Sequence, residues 1–378
     1  RLQTWTYGYN ASDGRLDTDH DPAAPADKKT ALAMTETGTN RLVTKTSAEG
    51  RVTRYTIMRL LDGVRRHILR YPDGTQETAV DSMSIVSPFG EVIRAVSTAG
   101  AETVVRTARD PRFGWLARVD SIETTRLPRS GTIQTITRTH ALSGSTRQES
   151  IAINGDRFYS EYDTVTRIFK SRTPAGREQV VTLDAVGRVT NVSVAGSIAP
   201  MSFAYYADGD AFHSLLSRQT QGGRTLDYTY DAKGRVQTTT DALARLTQFG
   251  YDLADRVSTV TLPGNRVVGL DHDANGNLHT LTPPGRPAHT FGYTPVDLNE
   301  LYTPPTVPGV PNPSTEYTFD LDHQLKQVTR PDGGTVVLAY DATKGRLDSI
   351  THPRGVNQFT YWDSPQPGSA LPSGQLQT

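Results

Sequence analysis

The sequence predicts an all-β protein, an array of antiparallel β-hairpins that follow one another as a repeat of about 21 residues. Three observations support this prediction. A short polar phrase recurs with regular spacing, a second turn signal follows each copy by about a dozen residues, and the composition combines 32 Gly and 23 Pro with 16 Tyr. Such a composition is typical of many short strands joined by tight turns.

The repeated phrase is clearest at residues 230–236 (YDAKGRV) and 251–257 (YDLADRV). Weaker copies lie at 206–215 and 293–301, and the steps between neighbouring copies are about 21 to 24 residues. The structural repeat residues are Tyr9, Gly14 and Arg15; Asp184, Gly187 and Arg188; Tyr230, Asp231, Gly234 and Arg235; Tyr251, Asp252 and Arg256; Asp273 and Gly276; Phe319 and Asp320; and Tyr340, Asp341, Gly345 and Arg346.

Each position of the phrase suits the turn of a hairpin. Asp at the start of a turn accepts hydrogen bonds from backbone N–H groups two residues on, and Gly supplies the positive φ that closes a short loop with a bulge. The following Arg is expected to lie on an aromatic ring and to pair with the Asp of a neighbouring turn, an exposed pair worth about 0–1 kcal/mol.

A second row of turn signals alternates with the phrase, as in Leu262-Pro263-Gly264 and 330–334 (RPDGG). Two turns per repeat predict two strands of about 6–8 residues. An aromatic or apolar residue stands two positions before each Tyr, as Phe249 does before Tyr251, so both point to one face of a strand. We interpret this ladder of rings as packing between hairpins; the alternative is a surface that binds sugars or a partner protein.

The repeat organises the chain into three regions. Residues 1–183 are predicted to form divergent repeats, with longer strands of the same sheet over about 41–170; a separate β-sandwich is the alternative there. Residues 184–363 hold well-formed repeats with a Pro-rich insertion at 304–313, and 17–29 is a second surface loop. Residues 364–378 are interpreted as a Pro/Gly-rich connection to further repeats.

Composition and motifs argue against several functions. The 40 basic and 40 acidic residues balance, which gives no indication of nucleic-acid binding, and no apolar run is long enough to insert into a membrane. The chain has no cysteine and no motif for nucleophilic, nucleotide or zinc chemistry, so we expect no enzyme and no cofactor. Asp17, Asp19 and Asp21, and the segment 271–276 (DHDANG), are weighed as calcium loops, but a solvated loop and a repeat turn explain them better.

These residues resemble the YD-repeat, or Rhs-repeat, family, whose unit is Tyr-Asp, a few residues, then Gly-Arg-Leu. The match is specific over 184–363 and suggestive over 1–183. The family includes polymorphic toxins, the shell component of insecticidal toxin complexes, bacterial cell-wall-associated proteins and the teneurin adhesion receptors. The resemblance implies a spiralling sheet that wraps into a hollow Rhs-type β-shell, which in the toxin branch encloses a C-terminal toxic polypeptide.

The sequence departs from the toxin branch in one respect. That branch ends in a core segment with two Asp-Pro-x-Gly-like motifs that cut the toxin from the shell. The nearest segment here is 109–115 (RDPRFGW), which has no second partner and precedes the best repeats. We interpret it as a turn with a packed Trp rather than a catalytic site.

Two functions fit these expectations. The first is a structural segment of a secreted or surface protein, part of a β-shell that encapsulates a C-terminal toxin or other cargo polypeptide of the same chain. The alternative is an extracellular adhesion module that uses the shell as a rigid scaffold for protein or glycan partners. A propeller is disfavoured because its blades need about 40 residues. We expect a fragment of a longer chain, an incomplete shell and an extracellular protein, bacterial rather than animal.

Overall fold

The fold was analysed in a computed structural model that describes residues 4–25, 27–60, 64–83, 91–128, 130–306, 313–361 and 376. The described residues form one sheet of 31 strands and contain no helix. The expected insertion at 304–313 lies mostly outside these residues, and so does the connection at 364–378 apart from Leu376. No helix in the described part of the chain is long and apolar enough to cross a membrane.

The strands of the first part of the chain include the longest. They are β1 Thr6–Tyr9, β2 Leu16–His20, β3 Thr30–Thr37, β4 Asn40–Thr46, β5 Val52–Arg59, β6 Arg65–Arg70, β7 Gln76–Met83, β8 Glu91–Val96, β9 Glu102–Asp110, β10 Gly114–Arg126, β11 Ile133–Ser143, β12 Thr146–Ile153, β13 Asp156–Asp163, β14 Ile168–Arg172 and β15 Glu178–Leu183.

The strands of the second part are shorter, five to seven residues except the last. They are β16 Val189–Val194, β17 Met201–Tyr205, β18 Leu216–Gln221, β19 Arg224–Tyr230, β20 Val236–Asp241, β21 Leu246–Tyr251, β22 Val257–Leu262, β23 Arg266–His272, β24 Leu278–Thr282, β25 His289–Tyr293, β26 Asn299–Thr303, β27 Thr315–Phe319, β28 Leu325–Thr329, β29 Thr335–Tyr340, β30 Leu347–His352 and β31 Gly355–Gln358.

Every strand pairs antiparallel with its neighbour in the chain, so the sheet is one continuous up-and-down ribbon. β15 pairs with β16, and β10 pairs with both β9 and β11, so the region 41–170 belongs to the same sheet and is not a separate β-sandwich. The repeat is therefore the hairpin ribbon that the two turn signals predict, with a strand every 10 or so residues.

The two kinds of turn lie on opposite edges of this ribbon. The Tyr-Asp turns follow odd-numbered strands, as between β19 and β20 or β21 and β22, whereas the second turn signal follows even-numbered strands, as between β22 and β23. In an up-and-down ribbon all turns of one parity share an edge. We call the two edges the YD edge and the opposite edge.

The faces of the sheet also differ. One face carries Phe249, Val260 and Val268 opposite one another, and Tyr317 opposite Val328; we call it the apolar face. Residues that pair across neighbouring strands can be followed on this same face from Phe249 in β21 back to Thr103 in β9. The rings are thus placed on one face, as their spacing predicts.

The ribbon is a single layer without a conventional core. No hydrophobic side chain among the described residues is buried, because nothing packs on the apolar face. That face is concave at β5–β9, where Tyr55, Ile57, Leu69, Ala79 and Thr103 line a cavity of about 530 Å³. The ribbon curls around its apolar face there. A sheet normally buries its apolar face against another element, so this face is available to a partner.

Candidate functional site

The YD turns repeat one hydrogen-bonded geometry, illustrated at 231–235. The Asp231 N–H donates to the Arg235 carbonyl at 2.9 Å, and Gly234, with φ of 78°, donates to the Asp231 carbonyl at 2.9 Å. The Asp231 carboxylate accepts from the N–H groups of Lys233 and Arg235 at 2.9 and 3.1 Å. A bulge follows, because the register shifts between Thr229 and Tyr230. The predicted roles of Asp and Gly are thus seen at this turn.

The other copies adopt the same turn with two variations. The turns 10–15 and 341–346 are one residue wider, and in both the Gly N–H donates to the first turn residue's carbonyl at 2.8–2.9 Å. Elsewhere a non-glycine residue holds the positive φ, namely Asp255, Asp297 and His323. At 184–188 and 273–277 the first Asp again caps the turn.

The Arg side chains pair chiefly within their own turns, which corrects our expectation of a neighbouring Asp. Arg188 Nε lies 2.6 Å from Asp184, and Arg256 Nε lies 2.7 Å from Asp252. The short loop brings the two side chains of one turn together before a neighbour is in reach. Arg235 pairs both ways, with its own Asp231 and with Asp255 of the next turn, each at 2.6 Å.

These contacts affect the turn carboxylates. Hydrogen bonds from the Arg235 side chain and the turn backbone outweigh partial desolvation and hold the pKa of Asp231 below its usual range. Asp252 behaves likewise, with the backbone N–H of Arg256 as the leading cause of its lowered pKa. Both carboxylates are therefore ionised at neutral pH and act as fixed caps of the turn.

From Tyr205 onward, the tyrosines at the YD position tie their hairpins to the previous one through a hydrogen bond that the repeat pattern did not predict. The Tyr251 hydroxyl donates to the Val236 carbonyl at 2.7 Å, and Arg235 of that earlier turn lies 4.2 Å from the Tyr251 ring centroid. The same hydroxyl-to-carbonyl bond, 2.7–3.1 Å long, recurs at Tyr205, Tyr230, Tyr293, Tyr340 and Tyr361. The rings thus serve packing between repeats.

Neighbouring turns are also joined along the YD edge. Asp255 accepts from Lys233 at 2.9 Å, and Asp297 accepts from Asn275 and Asn277 of the preceding turn at 2.8 and 2.7 Å. The acidic residue that takes the glycine position therefore connects its turn with the preceding one. These contacts between neighbouring turns make the YD edge polar along its length.

The YD edge meets the opposite edge of the same sheet at a seam, where charged side chains are buried. The turn 47–51, between β4 and β5, lies against the turn 320–324, between β27 and β28. Arg51 is 9% exposed and donates to Asp322 at 2.8 Å and to Gln324 at 2.5 Å. Its other terminal nitrogen lies 3.4 Å from Asp320, whose side chain is 8% exposed.

Backbone groups join the two turns as well. The Leu321 N–H donates to the Glu49 carboxylate at 3.0 Å, and the Ser47 hydroxyl donates to Asp322 at 2.9 Å. A further link is the contact of His323 with Asp21 at 3.1 Å. The turns thus interlock through side chains and backbone, and the edge groups find partners without a strand-to-strand ladder.

A second seam contact reverses the polarity of the first. Arg346 of the YD turn 341–346 donates from Nε to the Asp73 carboxylate at 3.0 Å and from a terminal nitrogen to the Asp73 carbonyl at 2.9 Å. Burial alone would raise the pKa of Asp73, but hydrogen bonds from Thr75 and then from Arg346 outweigh it and lower the pKa. The acid is now on the opposite edge and the base on the YD edge.

Both contacts join turns that are 23 strands apart, β4–β5 with β27–β28 and β6–β7 with β29–β30. The sheet therefore coils, and one coil turn contains 23 strands. The described sheet makes little more than one coil turn. The seam joins the edges of successive coil turns.

The segment 109–115 shows only a capped turn. The Asp110 carboxylate accepts from the Arg112 N–H at 2.7 Å and from its guanidinium at 3.0–3.1 Å, and these bonds keep the Asp110 pKa well below its usual range. An ionised, fully engaged carboxylate suits a turn. The side chain of Trp115 lies outside the described part, so its predicted packing stays a prediction.

In each of the two segments weighed as calcium loops, one carboxylate is held by neighbouring groups of the protein. Asp273 caps its own turn through Asn275 and Asn277, and Asp21 accepts from two loop N–H groups at 2.8 Å and contacts His323. Within the described ranges, no group of three or more His, Cys, Asp or Glu residues is arranged to hold a metal ion.

A comparison with protein families agrees with this geometry. The model of the teneurin YD-shell family matches residues 1–371. The chain belongs to the teneurin YD-shell family. The family resemblance inferred from the Tyr-Asp phrase is thereby confirmed, and so is the all-β, spiralling hairpin sheet. A search by sequence among curated proteins gives no significant match.

One solved structure shows a similar fold. The YD-shell chain resembles the crystal structure of TcdB2-TccC3 without its hypervariable C-terminal region, with a TM-score of 0.51 and 11% identity, over 96% of this chain and 23% of that chain. It also matches TcdB2-TccC3-Cdc42, with a TM-score of 0.37 and 11% identity over 95% of this chain and 22% of that chain. A Tc holotoxin pore from Photorhabdus luminescens matches with a TM-score of 0.33 and 10% identity over 95% of this chain and 25% of that chain. The first likeness supports a shared shell fold. This YD-shell chain spans about a quarter of the chains it matches.

Proposed function

We propose that this chain is a stretch of wall in a secreted or cell-surface YD-type shell that encloses a polypeptide cargo carried by the same protein. The observation that supports this most strongly is the seam, where Arg51 meets Asp320 and Asp322 from the next coil turn. A ribbon that contacts itself edge to edge forms a continuous wall rather than an open sheet.

The wall would act as a barrier through its backbone pairing. Hydrogen bonds close the gaps between strands, and polar turn contacts close the gap between coil turns. Leaving a buried edge group without a partner costs about 1–3 kcal/mol. The seam avoids that cost for the groups it pairs, among them the Leu321 N–H, the Ser47 hydroxyl and the terminal nitrogens of Arg51. The proposed role is structural rather than enzymatic, since the carboxylates of Asp110, Asp231 and Asp322 serve turns and the seam.

The apolar face suits a cargo that is not fully folded. Tyr55, Ile57 and Leu69 line a concave, half-exposed surface that nothing in the described chain covers. An unfolded polypeptide would bury apolar side chains there at about 25 cal/mol per Å² of apolar area. The C-terminal region named in the TcdB2-TccC3 structure belongs to that protein; a corresponding C-terminal cargo is proposed here by analogy of fold.

The proposal is tested by cryo-electron microscopy of the intact parent protein purified from its native source, with the culture medium and the cell surface as separate starting fractions. We expect a closed shell with non-shell density inside, in a medium or surface fraction. An empty shell with partners bound to the outside would refute encapsulation and support the adhesion alternative. Recovery from the cytosol alone would refute the secreted or surface location.

A further inference from the structure

The turn 173–177 (TPAGR) repeats the architecture of the seam turn 47–51 (SAEGR). In each, the first residue's N–H bonds to the Arg carbonyl at 2.9–3.0 Å, the Gly N–H bonds to the first residue's carbonyl at 2.9 Å, and the Arg N–H bonds to the first residue's hydroxyl at 3.2 Å. Gly50 and Gly176 have φ of 84° and 77°. The Arg177 side chain therefore starts from the same position in its turn as the Arg51 side chain does.

The two turns also share an edge. The turn 47–51 follows β4 and 173–177 follows β14, so both lie on the opposite edge, which meets YD turns at the seam. Their surroundings differ. Arg51 is almost fully buried by the YD turn 320–324, whereas Arg177 is exposed, and no acidic side chain in the described ranges forms a salt bridge with it.

The seam pairs opposite charges turn by turn. Where the opposite edge offers Arg51, the YD turn carries Asp322 at its third position; the turns that begin at Asp231, Asp252 and Asp273 have no acid there. Where the opposite edge instead offers Asp73, the YD turn supplies Arg346. The charge on the opposite edge thus indicates the charge of the YD turn that covers it.

We infer that the turn 173–177 is a docking site for a YD turn with an acidic third residue, supplied by the next coil turn of the same polypeptide. The coil of 23 strands places this partner far along the chain, as Arg51 and Asp322 are separated by 271 residues. The inference rests on the shell fold within the proposed function and not on the presence of cargo.

The test is site-specific photo-crosslinking in the full-length parent protein, with a photoreactive amino acid in place of Arg177 and mass spectrometry of the linked peptides. The same replacement at Arg51 is the matched positive control, with links expected within 320–324. Replacement at Arg224 controls for random contacts, because it lies on the same edge and is exposed, but its turn is a tighter one in which Gln221 pairs directly with Arg224.

We expect the residue at 177 to link to one Asp-x-Asp or Asp-x-Glu turn about 270 residues downstream. In a second series the photoreactive residue replaces the exposed Ala175, so that position 177 is free for substitution. There, Arg177→Glu or charge reversal of the acid should each weaken the link, and the two together should restore it. Links only to neighbouring hairpins, to a second molecule, or to a turn without the acid would overturn the inference, provided that Arg51 links within 320–324. A shell found empty by microscopy would refute encapsulation but would not change the crosslinks expected from position 177. Failure of the encapsulation proposal can therefore be told apart from failure of the docking inference.

Discussion

Replacing Arg51 by Met tests what holds successive coil turns together. The substitution keeps an aliphatic chain of similar length but removes the charge that faces Asp320 and Asp322, whose side chains are 8% and 15% exposed. Breaking a buried ion pair by removing one partner costs about 3–5 kcal/mol, because the other charge stays buried. Both carboxylates keep hydrogen bonds, from Gln324 N–H and Ser47 Oγ among others, so we expect the lower value, about 3 kcal/mol.

Native-state hydrogen exchange is the appropriate assay, since a long repeat array does not unfold as a single unit. A loss of about 3 kcal/mol corresponds to an exchange rate about 100-fold faster at the seam turns 47–51 and 320–324. Arg41→Met is the matched control. Arg41 pairs with Glu36 where both side chains are about half exposed, and such a pair is worth about 0–1 kcal/mol.

The reasoning would be refuted if Arg51→Met and Arg41→Met gave the same exchange at 320–324. It would equally fail if Arg51→Met accelerated exchange across all hairpins alike, because the substitution would then act on folding in general and not on the seam. A change confined to the two turns, about 270 residues apart in the chain, is the expected signature.

Three further predictions follow from single contacts. Tyr251→Phe should cost about 1 kcal/mol of local stability by removing its inter-repeat hydrogen bond, and Tyr9→Phe, at a largely exposed ring, should cost less; native-state hydrogen exchange at the affected hairpins measures both. Gly234→Ala should cost about 1 kcal/mol or more because φ is 78°, and Gly234→Asn should cost less; equal losses would contradict a backbone cause. The pKa of Asp73 is lowered, so its pairing with Arg346 stabilises the seam fully above the unfolded value of about 4, and this stabilisation is lost as pH falls through the folded pKa. Protection factors at 71–75, which correct for the intrinsic pH dependence of exchange, should therefore fall on acidification in the native protein but not in Asp73→Asn.

The local structure of the repeat could be predicted from the sequence because each element depends on residues close in the chain. Asp231 and Gly234 specify their turn by a carboxylate cap and a positive φ, and alternation along the strand places Phe249 and Tyr251 on one face. The prediction that the turn Arg pairs with the Asp of a neighbouring turn was wrong for Arg188, which pairs with Asp184 of its own turn. Spacing along the sequence does not show which of two nearby acids a flexible side chain reaches.

The seam could not be predicted from these patterns. Which turns meet depends on twist and curl summed over 23 strands, and a small change in angle per strand would shift the partner by several hairpins. A weak signal was present. Asp322 departs from the repeat at the third turn position, and Arg51 follows a Gly on the other row of turns. Such departures from a repeat are where long-range contacts are to be sought.

The coiling of the sheet is tested most directly by one distance in solution. The chain has no cysteine, so Lys45→Cys and Lys326→Cys, both exposed and beside the seam turns, provide two unique sites for nitroxide labels. In an uncoiled ribbon, strands about 4.8 Å apart would separate these sites by on the order of 110 Å. Pulsed electron paramagnetic resonance should give one narrow distribution several times shorter than this. A broad distribution at long distance would contradict the coil, and with it the shell.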